Sequence, residues 1–323
     1  MRIESTGAIL SYYRKKYNLA LEQVCDGICS VSTLSRLEDG SRCADSLTSS
    51  LLLERIGKQI CQFELLFNDA DYELWLARES IIKNMQRKEY EQVRQELVRY
   101  RKKKKISCKI HEQFCLCQEV LILQAELKDS SKKYPIQTEI CETAMSALQL
   151  TKPAFNIEHQ WKNELYTTAE TELILALVQY GDYQNTNIEV EYILSDLFHH
   201  LEYYDTDRRR QSLGNQLLME LIRLAQLLQD QDKVLAYIDK GINYVAQSRE
   251  IAGLDRFRFL RAQSLLIRYG TDVRKDRMKK REIQEECLMA YSICSVFGDL
   301  QQMHQIEQFC KEELEWQITK LEM

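Results

Sequence analysis

The chain has 323 residues with 45% hydrophobic and 29% charged side chains, values of a globular protein that can bury a core and is long enough for two domains. Only 10 Gly and 2 Pro are present, too few for a fold built on β-turns or Rossmann loops, whereas helices joined by short polar turns need few of either. The net charge of −5 divides unevenly: residues 1–60 carry 8 Lys+Arg against 7 Asp+Glu, leaving 36 against 42 for the rest, so phosphate attraction has to come from a local patch and not from a global field.

A first helix follows Ser5-Thr6, with Ile9, Leu10 and Tyr13 at helical spacing and Arg14, Lys15 and Lys16 in its last turn. Basic residues there either complement the helix dipole or touch phosphate, and for Arg14 and Lys15 both readings stand. A second helix fits Leu21 to Cys25, with Leu21, Val24 and Cys25 inward, and Asp26-Gly27 stops it, the glycine supplying the positive φ of a tight turn. Ser30 or Ser32 caps the third helix, whose buried side is Leu34 and Leu37. Its open side holds Val31, Ser32, Thr33, Ser35 and Arg36, short hydroxyls near a helix N-terminus followed by an arginine one turn on. This set suits base edges, because hydroxyls bond several bases and arginine bridges the two acceptors of guanine. The alternatives are a surface salt bridge from Arg36 to Glu22 or Asp39 and a plain capping role for Ser32. Arg42, beyond Gly40, is placed for a phosphate, and a fourth helix capped by Ser46 closes the small core with Leu47, Leu51, Leu52 and Ile56.

The stretch Gly27-Ile28-Cys29-Ser30 with Leu34-Ser35-Arg36-Leu37-Glu38-Asp39-Gly40 resembles the helix-turn-helix of the bacterial XRE-type repressor class. The likeness is sharper to its peptide-pheromone regulators, the Rgg and PlcR-like proteins, which share a shortened turn reading G-I-C-S and a helix ending S-[KR]-[IL]-E-x-G. The match covers about a fifth of the chain. It departs at Leu21, where that class carries a glutamine that buttresses a phosphate contact. The resemblance implies a DNA-reading head over residues 1–66, and the residues themselves make Ser30, Ser32, Thr33, Ser35, Arg36, Arg42, Arg14 and Lys15 its expected DNA contacts.

From Asp69 the apolar positions fall into helical pairs of tetratricopeptide-like length, 70–104, 107–149, 158–203, 206–248 and 254–297, with a last helix from Leu300 to about Ile318. Short polar turns break them at Gly181-Asp182, Gln229 to Asp232 and Gly298-Asp299. The expected fold is all-α, a head followed by a right-handed superhelix of helical hairpins over 67–323, whose concave groove suits an extended peptide or a partner helix. The resemblance implies a short peptide in that groove, held by asparagine amides, and a homodimer built by the body. On predicted first helices of successive pairs lie Asn163, with Tyr166, Thr167 and Glu170 on its face, and Asn215, with Met219, Ile222 and Arg223 beyond it. A solvated or capping role is the alternative for each asparagine.

Three basic runs, Arg101 to Lys105, Arg208 to Arg210 and Arg274 to Arg281, read first as solvated helix ends and a loop, with phosphate contact or an acidic partner as the other reading. The 11 cysteines are scattered and lack a second Cys or His pair at zinc-ligand spacing, so they read as small buried hydrophobes in a reducing cytoplasm, with no metal expected. No secretory segment and no bilayer-spanning run is present. There is no Gly-rich phosphate loop, no His-Glu-x-x-His and no nucleophile elbow, and the 5 His are dispersed, so neither an enzyme nor a cofactor is expected. The functional expectation is a cytoplasmic, sequence-specific transcription regulator controlled by a peptide. Its rivals are a repeat protein with a vestigial head, and a regulator responding to a small molecule or a protein partner.

Overall fold

In the computed structural model of the chain, residues 6–58, 69–103, 108–129, 133–156, 164–181, 187–203, 208–248, 251 and 253–318 are described. Among them the structure is helical throughout, with fifteen α-helices and no strand. They form two compact units, 1–205 and 206–323. The expected domain boundary at 66/67 lies outside the described residues.

The first unit begins with four short helices, α1 (Thr6–Lys16), α2 (Leu21–Cys25), α3 (Val31–Glu38) and α4 (Ser46–Arg55). Ile9, Leu10, Val24, Leu34, Leu37, Leu52 and Ile56 meet in one core, as the apolar spacing requires. Asp45, not Ser46, caps α4: its Oδ1 accepts from the Thr48 amide at 2.9 Å. Ser46 is buried instead, and its hydroxyl accepts from Arg78. The cap moves one residue because the Ser46 hydroxyl is taken by Arg78, while Asp45 is as good a cap by side-chain type.

Three helical pairs complete this unit, α5 (Asp69–Gln86) with α6 (Tyr90–Lys103), α7 (Lys109–Asp129) with α8 (Lys133–Gln149), and α9 (Thr168–Tyr180) with α10 (Asn187–Tyr203). The first two pairs match the expected spacing, but the third, expected from 158, has its first helix only from Thr168, with 164–167 outside it. Helix α9 differs in kind from its neighbours, because Leu173 to Val178 are all buried and no solvated face interrupts them. A helix apolar all round has to be enclosed, and α9 packs on α7, α8 and α10. Two outside residues, Ile110 and Leu165, enter the core of the four-helix head.

The second unit holds α11 (Arg208–Leu227), α12 (Gln231–Ser248), α13 (Leu254–Tyr269), α14 (Arg277–Phe297) and α15 (Leu300–Glu313), each packed on the next. Small residues set the helix spacing. A Cβ on Gly241 would come within 2.5 Å of the Phe257 ring, and one on Gly214 within 2.6 Å of the Tyr244 hydroxyl. Glu286 ties α13 to α14 by accepting from Arg258 at 3.0 Å and Arg261 at 2.7 Å. The basic segment 274–281, expected to be a loop, is mostly helix: a 3-10 turn ends at Arg274, and α14 starts at Arg277 under an Asp276 cap. Helix α15 stops earlier than expected, at Glu313, yet Trp316 and Ile318 still pack on the core of this unit.

Candidate nucleic-acid interface

Gly27 takes φ 70°, which lets the Ile28 and Cys29 amides both bond back to the Cys25 carbonyl, at 2.9 and 3.0 Å. The chain thereby reverses into α3 within a few residues. Ser30 caps α3, its Oγ accepting from the Thr33 amide at 3.1 Å and lying 2.9 Å from the Thr33 hydroxyl. Leu34 and Leu37 anchor the inner face, while Val31, Ser32, Ser35 and Arg36 are exposed on the outer one. After Gly40 the Arg42 amide donates to the Arg36 carbonyl at 3.0 Å, and the Arg42 guanidinium reaches back to the Thr33 hydroxyl at 3.3 Å. Asp39 accepts from the Ser41 amide at 2.8 Å, and these Ser41 bonds hold its carboxyl below the usual range.

The geometry sorts the expected DNA contacts. Ser32, Ser35, Arg36 and Arg42 share an open surface at the start and outer side of α3, with Lys15 exposed on α1. The hydroxyls of Ser30 and Thr33 are engaged in the cap, so their first role is to fix the helix end. Arg14 is corrected: it is 14% exposed, its Nε and Nη2 donate to both oxygens of Glu38 at 2.6 and 2.8 Å, and its Nη1 donates to the Leu19 carbonyl at 2.9 Å. The hydrogen bond to Glu38 raises the arginine pKa further. Arg14 is therefore a brace between α1 and α3. Arg14→Ala should destabilise the head by about 1–3 kcal/mol, since charged hydrogen bonds of this kind are lost. The measurement is a urea titration, and Arg14→Lys should recover only part of it because the fork geometry is missing.

The residues expected to hold a peptide divide too. Asn163 lies outside the described residues. Tyr166 is buried under the Lys152 ammonium, which sits 5.0 Å from its ring centroid, and burial pushes its phenol pKa up. Thr167 caps α9, exchanging bonds with Glu170 at 2.7 and 3.2 Å. Glu170 is fully buried, and both its oxygens accept from Arg55 Nη2, at 2.8 and 3.0 Å. Glu170 therefore joins α9 to α4, Thr167 closes the α9 N-terminus and Tyr166 packs under Lys152, which corrects their placement on an open groove face. Ile222 is likewise in the core at 1% exposure, because it falls on the α11 stripe with Leu218 and Leu221. Asn215 and Met219 are half-buried and Arg223 is exposed, at i, i+4 and i+8 of α11, with Arg223 Nε 2.6 Å from Glu220.

The buried Arg55–Glu170 pair was not foreseen. Its partners stand 115 residues apart, and the sole local sign is an arginine inside the apolar run Leu51 to Ile56. Glu54 adds to this joint by accepting from the Thr168 amide at 3.0 Å, a second carboxylate at the α9 N-terminus.

No protein-family model matches the chain, and no curated protein matches it by sequence. Solved structures that align with it over most of their length include PlcR from Bacillus thuringiensis in complex with the peptide PapR7 and DNA, at 16% identity and TM-score 0.48, covering 94% of this chain and 98% of that one. The apo form of the competence regulator ComR from Streptococcus vestibularis aligns at 18% identity and TM-score 0.49, over 96% and 98% of the two chains. The pheromone receptor Rgg2 from Streptococcus dysgalactiae aligns at 14% identity and TM-score 0.41, over 96% and 100%.

Proposed function

We propose that the chain is a sequence-specific, DNA-binding transcription regulator that acts as a homodimer and answers to a short signalling peptide. The observation that carries the DNA half is the outer face of α3: Ser32, Ser35 and Arg36 stand exposed on a helix entered through the Gly27 turn, with Arg42 beside its first turn. That is the arrangement by which a recognition helix presents its N-terminal residues to base edges while a neighbouring arginine takes a phosphate. The peptide half rests on the motif resemblance and on the paired helices, with Asn215, Met219 and Arg223 as the expected face on α11 and Asn163 as its counterpart earlier in the chain. The peptide acts by population shift: it biases DNA binding only through its differential affinity for two arrangements of the body.

The test is binding to duplexes selected from a random library by the whole protein. Arg36→Ala should lower specific affinity by about 1–3 kcal/mol and relax the preference at one base pair, while a scrambled duplex binds as before. An unchanged selected sequence and unchanged affinity would remove α3 from the DNA surface.

A further inference from the structure

We propose that Lys102 and Lys103, which end α6, and Lys109, which opens α7, form a second DNA-contacting corner that binds backbone phosphates flanking the base pairs that face α3. This rests on the DNA-binding reading above and adds body residues to a site assigned so far to the head alone.

Three observations place the corner beside α3. The first turn of α7 is built into the head: Ile110 is 1% exposed within the head core, and Cys108 packs on the same core, so the exposed Lys109 between them is fixed at its rim. The end of α6 is fastened as well. Tyr100 is buried, its hydroxyl accepts from Arg78 Nη1 at 3.0 Å and meets His111 Nδ1, and Arg78 Nη2 donates to Ser46 at the first residue of α4. These bonds tie the C-terminal turn of α6 to the first residue of α4, four residues along the chain from Arg42, and Lys102 and Lys103 follow Tyr100 in that turn as exposed residues. Thirdly, burial pushes the thiol pKa of Cys29, the residue before the α3 cap, up to about 11, and the Arg42 and Lys109 cations both oppose that rise.

The charges at the corner are arranged as a phosphate surface requires. Arg101 is withdrawn, donating to Glu112 at 2.8 Å and Glu119 at 2.7 Å, which neutralises two acidic residues of α7. Lys103 Nζ stands 4.0 Å from Glu73, an exposed pair of little energetic weight. Favourable interaction with a helix C-terminus accounts for Lys102 and Lys103 without DNA, but Lys109 opens α7, where a cation opposes the helix dipole. A head with a balance of only one positive charge, from 8 against 7, also needs cations from elsewhere to hold a duplex.

The experiment compares wild type with the triple variant Lys102→Gln/Lys103→Gln/Lys109→Gln on a selected duplex and a scrambled duplex of equal length, across a salt series. The slope of log affinity against log salt should fall by about one for each lysine, with both duplexes weakened alike. The Lys→Arg version should keep the wild-type slope, and Lys311→Gln, in the second unit, should leave it unchanged. An unaltered slope in a triple variant with a wild-type unfolding midpoint would overturn the corner surface while leaving α3 as the DNA element. Absence of any wild-type binding would overturn the DNA reading itself and this surface with it.

Discussion

Glu170→Ala should destabilise the first unit by about 3–5 kcal/mol, more than any exposed substitution considered above, because it strands the Arg55 guanidinium. Both side chains are at 0% exposure, and Arg55 Nη2 gives its bonds to the two Glu170 oxygens. Arg55 has little else to hold: its Nη1 is 3.5 Å from the Gln23 carbonyl, and Nε has no partner among the described residues. The same substitution removes half of the Thr167–Glu170 capping box, so the α9 N-terminus frays too. Replacing both partners by apolar residues, Arg55→Met with Glu170→Leu, should recover the part of the loss that comes from the stranded charge and leave only the lost capping-box bond, a deficit of about 0.5–2 kcal/mol. Urea unfolding of the single and double variants checks this. A single variant within 1 kcal/mol of wild type would mean that water reaches Arg55.

The double variant also separates stability from function. Arg55 ends α4 and Glu170 begins α9, so the pair fixes the head on the helical pairs of its own unit. If the joint only stabilises, the apolar pair should bind selected DNA like wild type. If its geometry sets where α3 points, affinity should fall although the protein remains folded at the assay temperature. An apolar contact is non-directional and a forked charge pair is not.

The helices of both units were legible because their signals are local. The Gly27 turn, the Leu34–Leu37 anchor and most of the helical pairs follow from spacing within about ten residues, whereas the third pair, expected from 158, has its first helix only from Thr168. The polar residues were less legible, because their roles depend on partners far along the chain. Arg14 read equally as a phosphate contact or a dipole partner until Glu38, 24 residues on, took two of its three nitrogens and the Leu19 carbonyl the third. Glu170 read as groove-facing until Arg55 claimed it. Asp45 displaced Ser46 as a cap because Arg78, 32 residues away, occupies the serine hydroxyl. On α11 the i, i+4 spacing from Asn215 identified a face, but Ile222 falls on the neighbouring stripe and is buried. Lys109 gave no signal as a lone cation, and its place at the rim of the head comes from Ile110 entering a core whose other members, apart from Leu165, lie more than fifty residues earlier.

Gly27→Ala should cost about 2–4 kcal/mol, from two sources that a matched control separates. The backbone there has φ 70°, which a Cβ strains by about 1–2 kcal/mol. The added methyl would also lie 1.8 Å from the Thr151 carbonyl oxygen and 2.9 Å from its Cα, so the backbone at 151 has to give way. That segment is not free to move. The Thr151 hydroxyl accepts from Gln113 at 2.6 Å, and Lys152 is 2.9 Å from both Asp26 and Glu164. Gly40 is the control, because it has φ 79° and nothing within 4 Å of its would-be Cβ, so Gly40→Ala pays the strain alone. The difference between the two midpoints measures how tightly the turn before α3 is pressed on residue 151. Equal losses would show that the segment yields freely and that the head is held by Arg55–Glu170 instead. A larger loss for Gly27 would make the turn a second seat for the head, and any motion passed from the helical pairs to α3 would then have to displace both.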